Sequence, residues 1–169
     1  YALNAIKGVG GSVIEDIVEE RMLRGPFTNL KDFITRTADK DVNKRIVENL
    51  IKAGALDGLG GTRKQFMSVY VQIIDHITKD KKSNLAGQLS LFDIAEDSQK
   101  EEFDIQMPRV GEYDKDMLLA FEKEVLGIYI SGHPLETDQA LWQKFITNTT
   151  NDFMLDEETG TAKADGQYN

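Results

Sequence analysis

The sequence contains no cysteine, one tryptophan and two histidines among its 169 residues. Without cysteine the chain can form neither a disulfide nor a thiolate metal site, which fits a reducing cytoplasm. His76 and His133 lie far apart in different local settings, so we expect no metal site built from them. No apolar run approaches the roughly 18 to 20 residues that a membrane span needs. The first residues also lack the apolar stretch of a signal peptide, and we expect no membrane partner.

Positive charge is scarce in one half of the chain only. The formal net charge is −9, but residues 1–80 contain 12 Lys and Arg against 11 Asp and Glu. Residues 81–169 contain 8 against 18, so the acidity belongs to the second half. An acidic chain is a poor partner for nucleic acid, because cations must neutralise the phosphate backbone. The uneven distribution removes that objection for the first half alone.

Apolar residues recur at helical spacing through the first half, with glycine-rich turns between them. After the turn at Gly25 and Pro26, either Thr28 or Asn29 can cap a helix, and either Asp41 or Asn43 can cap the next one. Gly54 closes that helix, and a long amphipathic helix follows from Arg63. Its apolar stripe is Phe66, Val69, Tyr70, Ile73, Ile74 and Ile77.

The turn KGVGGS, residues 7–12, precedes a helix directly and can bind an anion. Gly8 and Gly10 can adopt positive φ, so the turn can aim backbone N–H groups outward. A helix N-terminus adds partial positive charge, and Val9 is expected to point inward. Lys7, Gly11 and Ser12 complete the candidate phosphate site. The simpler interpretation is an ordinary turn between two helices.

A second, more degenerate turn lies about fifty residues later, in LDGLGGT. Its candidate phosphate-binding groups are those of Gly60, Gly61, Thr62, Arg63 and Lys64. Arg63 and Lys64 could equally be solvated helix residues, and this alternative stays open.

The order of these segments resembles the region after the polymerase core in bacterial replicative DNA polymerase III alpha subunits, which are C-family polymerases. The segments that carry the resemblance are LNAIKGVGGSVIEDI, a helix-hairpin-helix pattern, LIKAGALDGLGGTRKQF, which looks like its partner hairpin, and FEKEVLGIYISGHPL. Ile14 departs from the pattern, which usually has a small residue there. The resemblance covers roughly residues 2–135 and implies a segment of a much longer protein.

The resemblance predicts a mainly α fold, a tandem helix-hairpin-helix domain followed by a flexible linker and a further helix. Residues 1–80 would be the DNA-binding domain and residues 81–112 the linker. Residues 113–135 would form a helix leading out, which Gly132 and Pro134 would end. Residues 136–169 would lead toward an oligonucleotide-binding barrel that is absent here.

The peptide QLSLF lies within this predicted linker, between charged flanks. In the resembled family such a peptide binds the sliding clamp, with a glutamine at the pocket rim and apolar anchors inside. A flexible flank suits a peptide that must reach another protein. Alternatively, it packs on its own domain. The clamp-binding candidates are Gln88, Leu89, Ser90, Leu91 and Phe92.

Catalytic residues are not expected in this chain. Asp114 and Asp116 have the spacing of a Mg²⁺ site, but they open an amphipathic helix, where an aspartate caps free N–H groups. That helix is predicted to carry Leu118, Phe121, Val125 and Tyr129 on one face. Ser131 and His133 lack a partner constellation, and no base pocket of a DNA glycosylase is visible. The resemblance places the catalytic aspartates and Mg²⁺ elsewhere in the parent polymerase, and it implies a monovalent cation on the carbonyls near Gly8 to Gly10.

These features predict a non-catalytic segment of a cytoplasmic, nucleoid-associated bacterial polymerase. It would hold duplex DNA by its backbone without sequence preference and tie the polymerase to the sliding clamp. Its other partners would be the rest of the polymerase chain and the replisome. The alternative is a helical scaffold or interaction module whose hairpins only pack helices. The salt dependence of DNA binding separates the two functions.

Overall fold

The computed structural model of the chain describes residues 3–87, 106–136, 141 and 143–146. The chain divides into two compact units, Tyr1–Ser131 and Gly132–Asn169. The described part of the first unit is helical and contains no β-strand. Its helices are α1 Gly11–Arg24, α2 Leu30–Thr37, α3 Lys44–Lys52, α4 Arg63–Gly87 and α5 Lys115–Leu126, with short 3-10 turns at Leu3–Ala5 and Asp57–Leu59. The predicted helical fold class is therefore confirmed for these residues.

Apolar faces of all five helices meet in one core. The predicted stripe of α4 is confirmed, because Phe66, Val69, Tyr70 and Ile73 are buried and two further isoleucines pack against them. Helix α3 contributes its own buried face at a spacing of three and four residues, as an amphipathic helix requires. That face consists of Ile46, Val47, Leu50 and Ile51.

Side-chain caps define where three of the helices begin. The carboxamide oxygen of Asn29 accepts a 2.8 Å bond from the amide of Asp32, and that of Asn43 accepts a 3.1 Å bond from the amide of Ile46. For each of these two helices the sequence offered two candidate caps, and the asparagine is the one used. Asp114 caps α5, as predicted, by accepting from the amide of Met117 at 2.8 Å. Each cap satisfies an amide that has no partner inside its own helix.

Two predicted boundaries differ from the structure. Helix α4 continues to Gly87, so the range predicted as linker begins with seven helical residues. Helix α5 ends at Leu126, not near Pro134, because Gly127 adopts the left-handed conformation with φ 75° and donates its amide to the carbonyl of Lys123. That geometry stops a helix.

The buried face of α5 also differs from the predicted one. Leu119, Glu122 and Val125 are buried, whereas Leu118 and Phe121 are only partly so. Tyr129, predicted on the same helical face, lies beyond the helix end.

The second unit contains a described 3-10 turn, Pro134–Glu136, in which a carboxylate oxygen of Glu136 accepts a 3.0 Å bond from the amide of His133. Its other described residues are 132 and 133, 141, and 143–146. Among the helices that the structure describes in either unit, none combines the length and apolar character required to cross a membrane.

Candidate nucleic-acid interface

The first hairpin, residues 7–12, turns the chain from the 3-10 turn into α1. Gly8 adopts φ 76°, a conformation that strongly favours glycine, whereas Gly10 is extended with φ −73° and is the N-cap of α1. The expectation of positive φ at both glycines therefore holds for Gly8 only. Val9 is buried in the core, as predicted, and fixes the turn against the helices.

The N-terminus of α1 presents its amides to solvent. Gly10, Gly11 and Ser12 are exposed, the N-cap makes no side-chain hydrogen bond, and the first turn contains no acidic residue. Within the described part of the chain, no hydrogen bond uses the amides of residues 11–13. These free donors and the positive end of the helix dipole together favour an anion.

Contacts from two distant elements anchor the first hairpin. The amide of Lys7 donates to the carbonyl of Val125 at 2.8 Å, and the carboxamide of Asn49 donates to the carbonyl of Lys7 at 2.7 Å. Helix α3 and the end of α5 therefore fix the backbone of the turn on both sides. Sequence reasoning missed Asn49 and Val125, and no local pattern distinguishes them, because their partner lies at least 42 residues away.

The second hairpin, residues 54–64, places Arg63 in the interior. Only 6% of Arg63 is exposed. Its guanidinium donates to the carboxylate of Asp57 at 2.9 to 3.1 Å and to that of Glu122 at 3.2 Å. Burial alone would lower the pKa of Arg63, but Asp57 and Glu122 outweigh it and raise the pKa above its ordinary value. The structure thus gives Arg63 two internal anions, in contrast to its predicted place at a phosphate.

The amides of residues 62–65, where α4 begins, are also bonded within the protein. Thr62 and Gln65 form a reciprocal capping box. The Thr62 amide donates to the side-chain oxygen of Gln65 at 2.9 Å, and the Gln65 amide donates to the Thr62 hydroxyl at 3.2 Å. The carboxylate of Glu112 accepts from the amides of Arg63 at 2.8 Å and Lys64 at 3.1 Å. An acidic side chain therefore lies where an anion would bind.

Glu112 belongs to a segment that crosses the second hairpin, which we call the strap, residues 106–113. The carbonyl of Pro108 accepts from the Gln65 side chain at 2.9 Å, and the ammonium of Lys64 lies 5.6 Å from the centre of the Tyr113 ring. The predicted linker range therefore ends in a packed segment. Of the five predicted residues of the second hairpin, the exposed ones are Gly60 and Lys64.

A fully buried carboxylate connects this hairpin to the end of α5. Glu122 has no exposed surface, and it accepts hydrogen bonds from Arg63, from the amides of Ile130 at 2.7 Å and Ser131 at 2.9 Å, and from the Ser131 hydroxyl. Burial alone would raise the pKa of Glu122. The bonds from Ser131, Ile130 and Arg63 outweigh burial and leave the pKa below its ordinary value. Ser131 is thus a hydrogen-bond partner of Glu122.

The other predicted sites have separate outcomes. Gln88, Leu89, Ser90, Leu91 and Phe92, the predicted clamp-binding peptide, lie outside the described residues. Asp114 is a helix cap, the role that the sequence favoured over Mg²⁺ binding. Among the residues that the structure describes, no three His, Asp or Glu side chains are grouped closely enough to hold a metal ion.

Comparison with known proteins identifies relatives of most of the chain. Residues 1–66 match the family model for the helix-hairpin-helix motif. The chain is 39% identical over 136 residues to DNA polymerase III subunit alpha of Borreliella burgdorferi, which covers 80% of this chain and 12% of that protein. The subunits of Xylella fastidiosa Temecula1 and Helicobacter pylori 26695 are 41% identical over 136 and 138 residues, each covering 80% of this chain and 11% of the relative.

These matches confirm the resemblance on which the sequence prediction rested. The helix-hairpin-helix match contains the whole first hairpin and reaches Phe66, just past the second one. The chain spans 11–12% of the length of these relatives, so it corresponds to a small segment of each.

Proposed function

From its homology to a segment of DNA polymerase III alpha subunits, we propose that this chain holds duplex DNA through the phosphate backbone. The contact would not depend on base sequence, because backbone amides bind phosphates and do not reach the base edges. In a complete subunit this segment would lie behind the polymerase active site and hold the product duplex. The first hairpin is the proposed point of contact.

The observation that carries this proposal is the difference in available donors. The amides at the start of α1 have no acceptor among the described residues, and the exposed Lys7 precedes that helix by four residues. Those of residues 62–64 in the second hairpin all have acceptors within the protein. We therefore propose a structural role for the second hairpin. The alternative of a scaffold whose hairpins only pack helices would then describe the second hairpin and not the first.

Duplex binding measured by fluorescence anisotropy tests the first hairpin. Ser12→Asp adds a negative charge at the start of α1, where the helix dipole favours it, so folding should be preserved. The same charge repels phosphate, and we expect the affinity of a labelled duplex to fall strongly at low salt. Ser12→Asn is the neutral control and should bind almost as the unaltered chain does.

Two duplexes of unrelated sequence should give the same affinity. Weak binding with a shallow salt dependence is expected, because amide donors bring no counterion-releasing charge. Failure of the unaltered chain to bind either duplex at low salt would overturn the proposal. Equal loss in both Ser12 variants would instead assign the effect to the hydroxyl.

We propose a second function for the peptide at residues 88–92, which is to tether the polymerase to the sliding clamp. The support is its sequence, with a glutamine followed by a leucine and phenylalanine pair, between charged flanks. Burying one such apolar side chain is worth roughly 1.5–3 kcal/mol. Two anchors, less the cost of ordering the peptide, suggest a Kd of about 1 μM.

Titration calorimetry against a purified bacterial sliding clamp tests the tether. The double variant Leu91→Ala/Phe92→Ala should abolish micromolar binding. The double variant Asp97→Ala/Ser98→Ala, outside the peptide, should not affect it. Absence of binding by the unaltered chain would exclude the tether and leave the peptide as a segment that packs on its own domain.

The remaining expectations concern the complete protein. We propose that it is a DNA-directed DNA polymerase whose Mg²⁺-dependent chemistry uses residues outside this chain. Its place would be the bacterial cytoplasm, at the nucleoid, with the replisome as partner.

A monovalent cation at the first hairpin would rely on the carbonyls of Gly8 and Val9, because those of Lys7 and Gly10 accept bonds from Asn49 and Ile14.

A further inference from the structure

A surface cavity of about 450 Å³ lies beside the first hairpin, where α3 passes the end of α5. It is lined chiefly by charged and polar side chains, and the lining residues that matter here are Lys7, Lys44, Arg45, Glu48, Asn49 and Lys52. Glu124 completes the charged lining. Four cations therefore share the cavity with two carboxylates, and its balance is positive.

Not all of this charge is available to a ligand. The ammonium of Lys52 lies 3.0 Å from carboxylate oxygens of both Glu48 and Glu124. Burial alone would lower the pKa of Lys52, but these two carboxylates raise it. Lys52 therefore stays charged, and the two carboxylates outweigh its single positive charge. Lys44 pairs with Asp75 on α4.

Lys7 and Arg45 supply the uncompensated charge. Both are exposed, and neither forms an ion pair with the part of the chain that the structure describes. The cavity therefore presents two free cations together with one lysine that is shared with α4.

The register of α3 places Arg45 next to the first hairpin. Asn49 contacts the hairpin directly through its bond to the Lys7 carbonyl. Arg45 precedes Asn49 by four residues, so it lies on the same face of α3 about 6 Å along the helix axis. Lys7, in the first hairpin, and Arg45, one turn of α3 from the Asn49 contact, thus line the same cavity.

We infer that this cavity, through Lys7 and Arg45, binds a second backbone phosphate of the duplex held at the first hairpin. The inference rests on the proposed function and adds a site on α3 to it. Two neighbouring anion sites of different chemistry suit a polyanion with regularly repeated phosphates. One is a set of amides and the other a pair of cations, so only the second contributes counterion release.

Salt-dependent duplex binding distinguishes this site from the hairpin itself. Arg45→Gln removes one cation from an exposed helix position and keeps a residue of good helix propensity. We expect the slope of log K against log[salt] to become shallower by about 0.9. The affinity should weaken alike for duplexes of different sequence, by about tenfold at 50 mM salt.

Lys79→Gln is the matched control, because Lys79 is an exposed cation on α4 that does not line the cavity. It should leave the slope unchanged. Inorganic phosphate, added at constant ionic strength, should compete poorly, since a single phosphate cannot contact both sites. Strong competition by inorganic phosphate would assign the cavity to free anions and overturn the inference.

The outcomes separate this inference from the proposed function. If Ser12→Asp abolishes binding while Arg45→Gln matches Lys79→Gln, the hairpin binds DNA and the cavity does not. If Arg45→Gln reduces the slope, the site on α3 is supported. If the unaltered chain binds no duplex, the proposed function and the inference both fail.

Discussion

The two hairpins share a glycine-rich turn that leads into a helix, yet they differ in what satisfies the first amides of that helix. In the first hairpin, Gly10, Gly11 and Ser12 are exposed and provide no cap. In the second, the side chains of Gln65 and Glu112 accept hydrogen bonds from all three amides of residues 62–64. A similar motif therefore leaves donors free at one site and uses them for packing at the other.

The comparison teaches that a turn motif alone does not establish an anion site. Every helix leaves amides without internal partners at its N-terminus, and some other group must satisfy them. In the second hairpin that group is Glu112, 49 residues away in sequence. In the first hairpin the described residues supply none, which leaves water or a ligand to do so.

The largest expected effect concerns Glu122, which supports the second hairpin from the core. Glu122→Ala removes one of the two carboxylates that pair with the buried guanidinium of Arg63 and leaves the amides of Ile130 and Ser131 without their acceptor. Removing one member of a buried ion pair costs about 3–5 kcal/mol, and we expect a loss of this size in urea unfolding. Glu122→Gln keeps the shape and should cost less. A loss under about 1 kcal/mol in Glu122→Ala would contradict the role of this carboxylate.

The pH dependence of stability provides a related test of Glu122. Because its folded pKa lies below the ordinary value of 4.5, its contribution is complete above that pH. The contribution is lost as the pH falls through the folded pKa. The stability difference between the unaltered chain and Glu122→Gln should therefore shrink as the pH falls below the ordinary value. A difference that grows in acid would contradict this assignment.

The next effect distinguishes two glycines of the second hairpin that both have positive φ, 73° for Gly54 and 78° for Gly60. Alanine at either position bears the cost of the left-handed conformation, about 1–2 kcal/mol. At Gly54 the new methyl group would also overlap the guanidinium of Arg63 and approach Asp57, whereas at Gly60 it meets open space.

Gly54→Ala should therefore be less stable than Gly60→Ala by a further 1–3 kcal/mol or so in urea unfolding. The shared backbone cost cancels in this pair, so the difference reports the packing around Arg63. Equal losses in both variants would indicate that Arg63 moves freely and is not held as the structure places it.

The smallest effect concerns the strap. Glu112→Ala removes the acceptor of the Arg63 and Lys64 amides, and loss of a helix cap costs about 0.5–2 kcal/mol. Glu19→Ala removes an exposed carboxylate from α1 and is the control for net charge. If Glu112→Ala is as stable as Glu19→Ala, water replaces the carboxylate without cost, and the two hairpins are less different than their contacts indicate.

Local sequence signals predicted the local structure well. The inward position of Val9, the cap at Asp114 and the apolar stripe of α4 follow from spacing and residue type, and all three are present. The predicted end of α5 was wrong, because Gly132 and Pro134 were taken as the helix stop. Gly127, a glycine typical of helix C-termini, stops the helix earlier.

Long-range contacts could not be predicted, and they decide how the two hairpins differ. Arg63 has the residue type of a phosphate ligand, and only the fold brings Glu122, 59 residues away, against it. Asn49 and Glu112 act through partners 42 to 49 residues distant. Such pairs depend on how helices pack, which neither helical periodicity nor turn composition encodes.

The most direct test of the difference between the hairpins is amide chemical shift in a ¹⁵N-labelled sample of this chain, titrated with a short DNA duplex. Our account predicts that the amides of residues 10–13 shift with added duplex and that those of residues 62–64 do not. Shifts at residues 62–64 without shifts at residues 10–13 would contradict it, because they would place the phosphate at the hairpin that Glu112 closes.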